Sequence, residues 1–238
     1  ALELKSGKYI FEELKKFLFK NNLINENWNA LNILTQNAST VGLFDLKILP
    51  TEKEDNSSFF NNLNNKKFKF LYLMASDNLD FKKDNEFVVY QGSHGDRGAE
   101  LADIILPSAT YTEQNGLYEN LEGRLQECKK ASYPIGEALE DWKIFNKIIK
   151  TMGLQEESSS FDQLRKEVLS NIPNFSKINE LPEHTETKNS NIEASFISEE
   201  VLIREIDYYY SNSISRSSKT MSECRQIRQK IKKDGTNN

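Results

Sequence analysis

Cysteine, histidine and proline are scarce in this sequence, which has two, two and five of them among 238 residues. Cys128 and Cys224 lie far apart, so a disulfide framework and a four-cysteine cluster site within this chain are both excluded. So few cysteines are typical of a reducing compartment. His94 and His184 are the only imidazoles, and the two histidines and two cysteines do not show the spacing of a Cys/His zinc quartet.

Long apolar runs and an excess of positive charge are also missing. No uninterrupted apolar stretch reaches the roughly 18 residues of a membrane span. The first residues also lack the basic-then-apolar layout of a signal peptide. The formal net charge is -5, which does not favour binding to polyanions. We therefore expect no direct membrane span and no nucleic-acid partner, and we interpret the basic run at 228–233 as a solvated helix end.

The sequence does contain enough apolar residues for a core, since 37% are hydrophobic and 14 are Phe. Short apolar runs at 68–74, 87–92 and 104–107 are bounded by polar or small residues, as in buried parallel strands. With a helical turn before the last run, this order predicts an α/β fold with a mostly parallel sheet covered by helices. The loops that follow such strands share one rim, where these folds bind ligands.

Helical spacing and polar composition predict the remaining elements. The apolar residues of 7–19 predict a first helix. Residues 28–36 predict a second helix or helical turn, and the Asn-rich residues 51–65 predict a solvated loop. Residues 161–169 predict an amphipathic helix.

A turn with regularly spaced glycines follows the second apolar run. Gly92, Gly95 and Gly98 form G-x-x-G-x-x-G, which is neither the dinucleotide fingerprint nor a Walker loop. Backbone amides in such a turn can hold an anion, but this signal is weak. His94 beside Asp96 could be a catalytic base or a metal ligand, although no paired nucleophile and no further ligand are recognisable. A nucleotide-type pocket is the functional interpretation of this turn.

The segment after the third run is dense in polar residues and glycines. Arg124 can pair with Glu113 or Glu122. Two interpretations stay open: a structural loop whose polar groups bind each other, which we favour, and a loop that cradles a cofactor. The candidate pocket residues of the whole rim are Asp77, Gly92, His94, Gly95, Asp96, Gly98, Glu113, Asn120, Glu122 and Arg124.

The motifs of this region occur together in a known family. Residues 90–99 are YQGSHGDRGA, residues 102–107 are ADIILP, residues 111–113 are YTE and residues 120–126 are NLEGRLQ. This series resembles the YxGxHGDxGA, ADxILP, Tyr-Thr-Glu and Asn-x-EGR-x-Q motifs of the large, 75-kDa-type iron-sulfur subunit of respiratory complex I, NADH:ubiquinone oxidoreductase. The resemblance is to the C-terminal part of that subunit's molybdopterin-oxidoreductase-like region.

The resemblance extends over almost the whole chain. WNALNIL (28–34) and VGLFDLKILP (41–50) resemble the family's W-N-x-L-N-x-L and V-G-x-x-D-L segments, and EDWKIFNKI (140–148) resembles its E-D-W-K helix. YYYSNSISRSSKTMSECR (208–225) resembles its terminal D-S-I-S-R-A-S-x-T-M-x-x-C motif. That last motif separates this subunit, as found in mitochondria, from working molybdenum enzymes, which share only the ADxxLP and EGR portions.

The resemblance implies a noncatalytic part of that subunit, with no catalytic residue, no cofactor in this chain and a vestigial pocket. Iron-sulfur clusters are expected in the subunit's N-terminal region or in a companion chain, because the cysteine motifs of the clusters are missing here. The chain is then a fragment or a split-gene product. Residues 1–154 would belong to the Rossmann-type layer of the molybdopterin oxidoreductase-like domain, and residues 155–238 would form a helical and extended tail.

The implied role is to scaffold the cluster-bearing region and so to support electron transfer from NADH to ubiquinone. The expected partners are other subunits of the complex I peripheral arm. The expected location is the matrix side of the mitochondrial inner membrane, with the cytoplasmic face of a bacterial membrane as the alternative. Candidate interface residues in the tail are Tyr208, Tyr209, Ile214, Arg216 and Met221. Packing of the tail on its own domain is an equally open alternative.

Two other functions stay open. The chain could be a domain of an active molybdopterin-dependent oxidoreductase of the formate dehydrogenase type, with rim loops that hold the pterin phosphates. Asp77 and Asp96 would put negative charge where those phosphates must sit, which favours the noncatalytic subunit. A free nucleotide-binding regulator is the third possibility.

Overall fold

The computed structural model describes residues 4–35, 37–38, 40–48, 56–76, 79, 81–155, 158–172, 175, 177–182, 193–200 and 207–235. In chain order the elements are α1 (Gly7–Lys20), β1 (Ile24–Asn25), β2 (Trp28–Asn29), α2 (Thr40–Asp45), α3 (Asn56–Asn64), β3 (Phe70–Met74), β4 (Phe87–Gly92), α4 (Arg97–Leu101), β5 (Ile104–Pro107), β6 (Gly116–Glu119), β7 (Leu125–Cys128), α5 (Asp141–Thr151), α6 (Phe161–Asn171), a 3-10 turn (Tyr208–Tyr210), α7 (Ser213–Ser217) and α8 (Lys219–Gly235). Among these helices, none combines the length and the apolar character that crossing a bilayer requires.

A parallel sheet with the strand order β3-β4-β5 organises the middle of the chain. Both pairs of neighbouring strands are parallel, with Leu71 opposite Val88 and Val89 opposite Ile104. These strands are the three apolar runs of the sequence, and the prediction of a parallel sheet with helices is confirmed. The carboxyl ends of all three strands meet at one edge, which we call the rim.

One face of the sheet carries the main hydrophobic core. Leu71, Leu73, Val88 and Tyr90 are buried there together with Leu63 of α3. Burial of a side chain of this size stabilises the fold by roughly 1.5–3 kcal/mol. The core therefore fixes the strands whose ends form the rim.

The other face is covered by α5 only near the rim. The ring of Phe145 stacks on Tyr72 with centroids 5.8 Å apart, and Ile144 is buried beside it. At the opposite end, Phe70 and Phe87 stack on each other at 6.3 Å but are 56% and 46% exposed. The end of this face at Phe70 and Phe87 is thus uncovered in the described chain, although parallel sheets are usually buried on both faces.

The predicted helix at 28–36 is wrong. Trp28–Asn29 is strand β2, which pairs antiparallel with β1, and no regular structure follows in the described residues until α2 begins at Thr40. Asparagine side chains explain the difference, because they bind backbone amides that a helix would use. Asn25 Oδ1 accepts from the Asn27 amide at 3.0 Å, and Asn29 Oδ1 accepts from the Leu31 amide at 2.9 Å.

The predicted solvated loop at 51–65 is also wrong where the structure describes it, because α3 occupies Asn56–Asn64. Leu63 is 1% exposed, and Phe59 packs against the same core cluster one helical turn earlier. Tertiary packing of this pair outweighs the poor helix propensity of asparagine. Residues 51–55 lie outside the described part of the chain.

The first helix is confirmed as α1, but Leu18 is the only large apolar residue of this helix that is fully buried. Leu14 and Phe17 are 43% and 58% exposed, whereas Glu12 and Lys15 are buried and 3.6 Å apart. The start of α1 is bound to a segment near the C-terminus. Ser6 Oγ donates to the Ile197 carbonyl at 2.7 Å, and the Ile197 amide donates to Ser6 Oγ at 2.7 Å.

The predicted helix at 161–169 is confirmed as α6, with the Ser160 hydroxyl accepting from the Gln163 amide as an N-cap. Its apolar side chains Phe161, Leu164 and Val168 line a cavity of about 300 Å³ beside the hairpin β6–β7. The sequence predicted only a loop where this hairpin lies. Near the end of the chain, the 3-10 turn packs between α7 and α8.

Candidate functional site at the rim

Tyr90 fills the glycine turn that follows β4. Its side chain is buried, and its hydroxyl donates to the His94 carbonyl at 2.9 Å. A Cβ placed on Gly92 would lie 2.2 Å from the Tyr90 hydroxyl oxygen. A Cβ on Gly98 would lie 2.6 Å from the Ser76 carbonyl oxygen and 2.9 Å from the Tyr90 ring. These two glycines therefore make room for the protein's own tyrosine, whereas a Cβ on Gly95 would meet nothing within 4 Å.

Asp96 joins the turn to the C-terminal part of the chain. Its carboxylate accepts from the Arg97 amide at 2.8 Å as the N-cap of α4, and it also accepts from Arg216 Nε in an ion pair. Burial raises the pKa of Asp96, but the hydrogen bonds from Arg216 and the Arg97 amide outweigh it and hold the pKa below its usual value. Arg216 also donates to the Tyr210 carbonyl at 3.3 Å. Arg216, predicted as an interface candidate, therefore serves a contact within the chain.

His94 lies half-buried in the same turn. Its Nδ1 is 2.9 Å from the hydroxyl of Ser93, a neighbour that the sequence did not suggest as a partner. Among the described residues no carboxylate hydrogen-bonds to the His94 ring, so the third member that orients a catalytic base is missing from this set. Asp77 and His184 lie outside the described residues.

The polar loop beyond the rim binds mainly its own groups. Asn120 Oδ1 accepts from the amides of Glu122 and Arg124, both at 3.0 Å, and closes the turn of the hairpin. Arg124 Nη1 donates to the Asn179 carbonyl at 2.6 Å, and its Nε lies 3.9 Å from Glu122. Glu113 accepts from the Thr110 amide at 3.2 Å, so of the two predicted partners of Arg124 only Glu122 is near it. This geometry favours the structural-loop interpretation.

A polar network that the sequence did not reveal ties the rim to α5. Tyr72 donates to Gln91, and Gln91 Nε2 donates to Asp141 at 2.6 Å. Gln114 Nε2 donates to the other Asp141 oxygen at 2.8 Å, and the Asp141 amide donates back to Gln114 Oε1 at 3.1 Å. The sequence signal that could have indicated this network was Gln91, a polar residue at the end of a buried strand. Because these four side chains bind one another, the network closes the rim between β4 and the polar loop.

Glu119 is a second residue that sequence reasoning missed. Its side chain is 3% exposed at the end of β6, and its Oε2 has no hydrogen-bond donor among the described residues. Burial first, and then the neighbouring carboxylate of Asp45, raise its pKa to about 7. A Cβ on Gly42 would lie 3.4 Å from the Glu119 Cβ, which shows how closely α2 approaches the hairpin. The Glu119 carboxyl therefore keeps its proton until the pH approaches 7.

The predicted interface residues of the tail lie around the 3-10 turn. Tyr208 is 67% exposed, and the guanidinium of Arg228 lies 5.9 Å from the ring centroids of Tyr208 and Tyr209. Ile214 and Met221 are 37% and 39% exposed. All of these candidates, including Arg216, thus leave part of their surface open to solvent.

Neither a metal site nor a pterin is supported by the donor set. No group of three or more His, Cys, Asp or Glu side chains comes together within the described ranges, and Cys128 and Cys224 are both free thiols. The pterin that the alternative function requires does not fit the glycine turn, because the Tyr90 ring occupies the space beside Gly92 and Gly98. Asp96 is already bound by Arg216, so its charge is neutralised rather than left free at the rim.

Comparison with known proteins agrees with the motifs. Residues 1–151 match the family described as Molybdopterin oxidoreductase, and residues 173–224 match the family of the C-terminal region of the G subunit of NADH-ubiquinone oxidoreductase. The chain is 37% identical to the NADH-ubiquinone oxidoreductase 75 kDa subunit of Reclinomonas americana, over 90% of this chain and 31% of that protein. It is 35% identical to the G subunit of NADH-quinone oxidoreductase from Rickettsia bellii, over 96% of this chain and 32% of that protein.

A plant relative shows the same relationship. The chain is 33% identical to the mitochondrial NADH dehydrogenase [ubiquinone] iron-sulfur protein 1 of Solanum tuberosum, over 93% of this chain and 29% of that protein. The chain thus spans about a third of the length of these relatives. The resemblance inferred from the motifs at 90–126 and 208–225 is confirmed. The chain therefore belongs to the molybdopterin oxidoreductase family, on the branch of the G or 75 kDa subunit of NADH-quinone oxidoreductase.

Proposed function

We propose that the chain is a noncatalytic structural part of the large iron-sulfur subunit in the NADH-oxidising peripheral arm of respiratory complex I. The observation that carries the proposal is the closed rim, where the Tyr90 ring fills the glycine turn and Arg216 binds Asp96. Ligand sites are concave, and the glycine turn, which the Tyr90 ring fills, offers no such space. The names of the relatives support the assignment to this complex.

The role in this proposal is to cover and position the cluster-bearing part of the subunit, and so to support electron transfer from NADH to ubiquinone. The clusters themselves belong to the N-terminal region of the subunit or to a companion chain. The uncovered sheet face at Phe70 and Phe87 supports docking, as do the exposed Leu14 and Phe17 of α1, because contiguous exposed apolar surface marks interaction sites. Tyr208, Tyr209, Ile214 and Met221 are the tail residues proposed for contacts with neighbouring subunits.

The proposal includes a location and a division of the chain. The potato relative is named as mitochondrial and the Rickettsia relatives are bacterial, which supports the matrix side of the mitochondrial inner membrane or the cytoplasmic face of a bacterial membrane. The partners are other peripheral-arm subunits of that complex. Residues 1–154 form the domain of the molybdopterin oxidoreductase type, and residues 155–238 form a tail that also reaches partner subunits.

The alternative of an active molybdopterin enzyme has no comparable support. None of the relatives named above carries the name of a molybdenum enzyme, and the glycine turn is filled. A free nucleotide-binding regulator would behave as a stable monomer without the complex. The experiment below separates that behaviour from the proposed one.

Co-migration tests the proposed function. The chain is tagged in its native host, and the membranes are solubilised and separated on a native gel that is stained for NADH dehydrogenase activity. We expect the tagged chain in the stained band together with a polypeptide that carries the cluster cysteines. Recovery of the chain only as a free monomer would contradict the proposal.

A paired substitution tests the docking role of the sheet face. We expect Phe70→Ala with Phe87→Ala to lower the amount of chain in the stained band about tenfold, because both rings are exposed apolar anchors. Tyr133→Ala, which removes another exposed aromatic ring, is the control and leaves incorporation unchanged. Equal incorporation of both variants would contradict a docking role for this face.

A further inference from the structure

Residues 226–231 of α8 are exposed, although the Arg228 guanidinium lies 5.9 Å from the ring centroids of Tyr208 and Tyr209. Cys224 and Arg225 are half-buried, and the Arg225 guanidinium lies over the Tyr210 ring at 4.4 Å. Every side chain from Gln226 to Ile231 is exposed, including Ile227 at 59% and Ile231 at 66%. Short helices are only marginally stable in water without tertiary packing. Apart from the Arg228 contact, this part of α8 therefore lacks, within the described chain, the packing that usually stabilises such a segment.

The apolar residues of α8 form a narrow stripe. Cys224, Ile227 and Ile231 follow each other at spacings of three and four, so they lie on one line along the helix. A stripe of this width is the seam of a helix that packs against one other helix, rather than the broad apolar face of a helix packed on a core. We call these three residues the α8 seam.

The charges beside the seam are basic. Arg228 and Lys230 occupy the positions next to Ile227 and Ile231 that flank the contact between paired helices. The helix as a whole has six basic and two acidic residues, in a chain whose net charge is -5. A partner surface with carboxylates opposite these two positions would be attracted, whereas a basic surface would be repelled.

A lipid surface fits this helix less well than a protein does. Helices that lie in a membrane interface have a wide apolar face with Trp, Phe or Leu. The α8 seam has two isoleucines and one cysteine, and the acidic residues Glu223 and Asp234 are also part of the helix. The observations therefore favour an acidic helix of a protein.

We propose that the α8 seam is a docking surface for an acidic amphipathic helix of another subunit of the same complex. The partner helix presents aliphatic residues to Ile227 and Ile231 and carboxylates to Arg228 and Lys230. This inference rests on the proposed function, because it requires the chain to be part of a larger particle. It places the contact of the tail at the end of α8, beyond Met221 and the exposed tyrosines.

Photocrosslinking in the assembled particle tests the proposal. The photoreactive residue p-benzoylphenylalanine replaces Ile231 in one tagged chain and, as the control, Gln229 on the opposite side of the helix in another. The particle that stains for NADH dehydrogenase activity is irradiated, and crosslinked peptides are identified by mass spectrometry. We expect position 231 to crosslink to an acidic helix of a different subunit, with a yield about tenfold above that of position 229.

The outcomes separate the two proposals. Co-migration of the chain without a crosslink from position 231 to another subunit overturns the seam alone, as does a crosslink to lipid or to this chain only. Loss of co-migration in the chain without a photoreactive residue overturns the proposed function and the seam together. A crosslink to a basic surface also contradicts the seam, because the charge argument would then be wrong.

A pair of variants gives an independent readout. Ile227→Ala with Ile231→Ala keeps helix propensity and removes the seam, and we expect it to weaken retention of the chain in the particle about tenfold at moderate salt. Gln226→Ala with Gln229→Ala changes two exposed residues on the opposite side and leaves retention unchanged. Equal retention of both double variants would overturn the proposal.

Discussion

Tyr90 is the residue that determines the state of the rim. Its ring occupies the space beside Gly92 and Gly98, and its hydroxyl is bound to the His94 carbonyl. The glycines alone predicted a cradle for a ligand, because a missing Cβ permits close approach. The spacing of glycines does not tell which group approaches, so the sequence could not show that the approaching group is a side chain of the same strand.

A substitution at Gly98 tests how tightly the turn is packed. Gly98→Ala would bring a methyl group to 2.6 Å from the Ser76 carbonyl oxygen, and we expect it to lower the free energy of unfolding by about 2 kcal/mol. Gly95→Ala, where a Cβ meets nothing within 4 Å, should change it by less than about 0.5 kcal/mol. Urea denaturation of both variants measures the difference. Similar stabilities would show that the turn has room for a ligand.

Glu119 predicts a specific dependence of stability on pH. Its pKa is raised from 4.5 to about 7 by burial and by Asp45, so between these values the folded chain keeps a proton that the unfolded chain releases. The free energy of unfolding should therefore fall as the pH rises through this window, by up to about 3 kcal/mol. Above pH 7 the contribution of Glu119 becomes constant.

Glu119→Gln should remove this slope, because the amide has no proton to lose, and it should stabilise the protein at pH 8. Denaturation at pH 5, 6, 7 and 8 gives the comparison. Glu122→Gln, at an exposed glutamate in the next turn, is the control and should keep the wild-type slope. An unchanged slope in Glu119→Gln would mean that Glu119 does not keep its proton up to about pH 7 in the folded chain.

At the scale of elements, the periodicity of the sequence predicted correctly those elements that depend mainly on their own residues. The apolar runs became β3, β4 and β5, and the amphipathic pattern at 161–169 became α6. The helix predicted at 28–36 failed because asparagine side chains bind the local backbone. The loop predicted at 51–65 contains α3 because Leu63 is buried against a strand that follows later in the chain. A contact such as that of Leu63 joins segments that are distant in sequence, so a local sequence pattern cannot predict it.

The ion pair between Asp96 and Arg216 shows that the candidate site also depends on contacts that local sequence does not predict. Both residues lie in motifs that the sequence had singled out, but 120 residues separate them. No local pattern pairs two such motifs. The pair links α7 to the rim, so the turn after β4 and α7 should be stabilised together.

Arg216→Ala tests this coupling between elements. Loss of the charge-assisted hydrogen bonds should lower the free energy of unfolding by about 1–2 kcal/mol and speed amide exchange in both α4 and α7. Lys16→Ala removes an exposed ion pair with Glu13 on α1 and should cost less than about 0.5 kcal/mol. Hydrogen exchange read by mass spectrometry resolves the two regions. Faster exchange in α7 alone would contradict the coupling.

At the scale of the whole molecule, the chain combines a filled rim with uncovered apolar surface. The rim of a parallel sheet is where α/β proteins bind ligands, yet Tyr90, Gln91, Asp141 and Arg216 are bound to groups of the same chain there. At the other end of the sheet, Phe70 and Phe87 remain exposed. This distribution agrees with the proposed role, in which the chain makes contacts with other parts of the complex.

The family could be identified from the sequence, since its motifs are short continuous segments such as HGDRGA and SISRSSKTM. The sequence could not show whether the pocket is filled, because that depends on where the side chains of residues 72, 90, 114 and 216 point in the folded chain. The two kinds of information also answer different questions. Motifs identify the family of molybdopterin oxidoreductases and its branch of 75 kDa-type subunits, and geometry decides whether this chain retains a place for the cofactor.

The metal content of the purified particle tests the central claim most directly. The NADH-oxidising particle that contains the tagged chain is isolated, and molybdenum, tungsten and iron are quantified by mass spectrometry against protein. We predict iron in the amounts that iron-sulfur clusters require, together with molybdenum and tungsten far below one atom per particle. About one atom of molybdenum or tungsten per particle, lost when the chain is removed, would contradict the claim that the rim is closed.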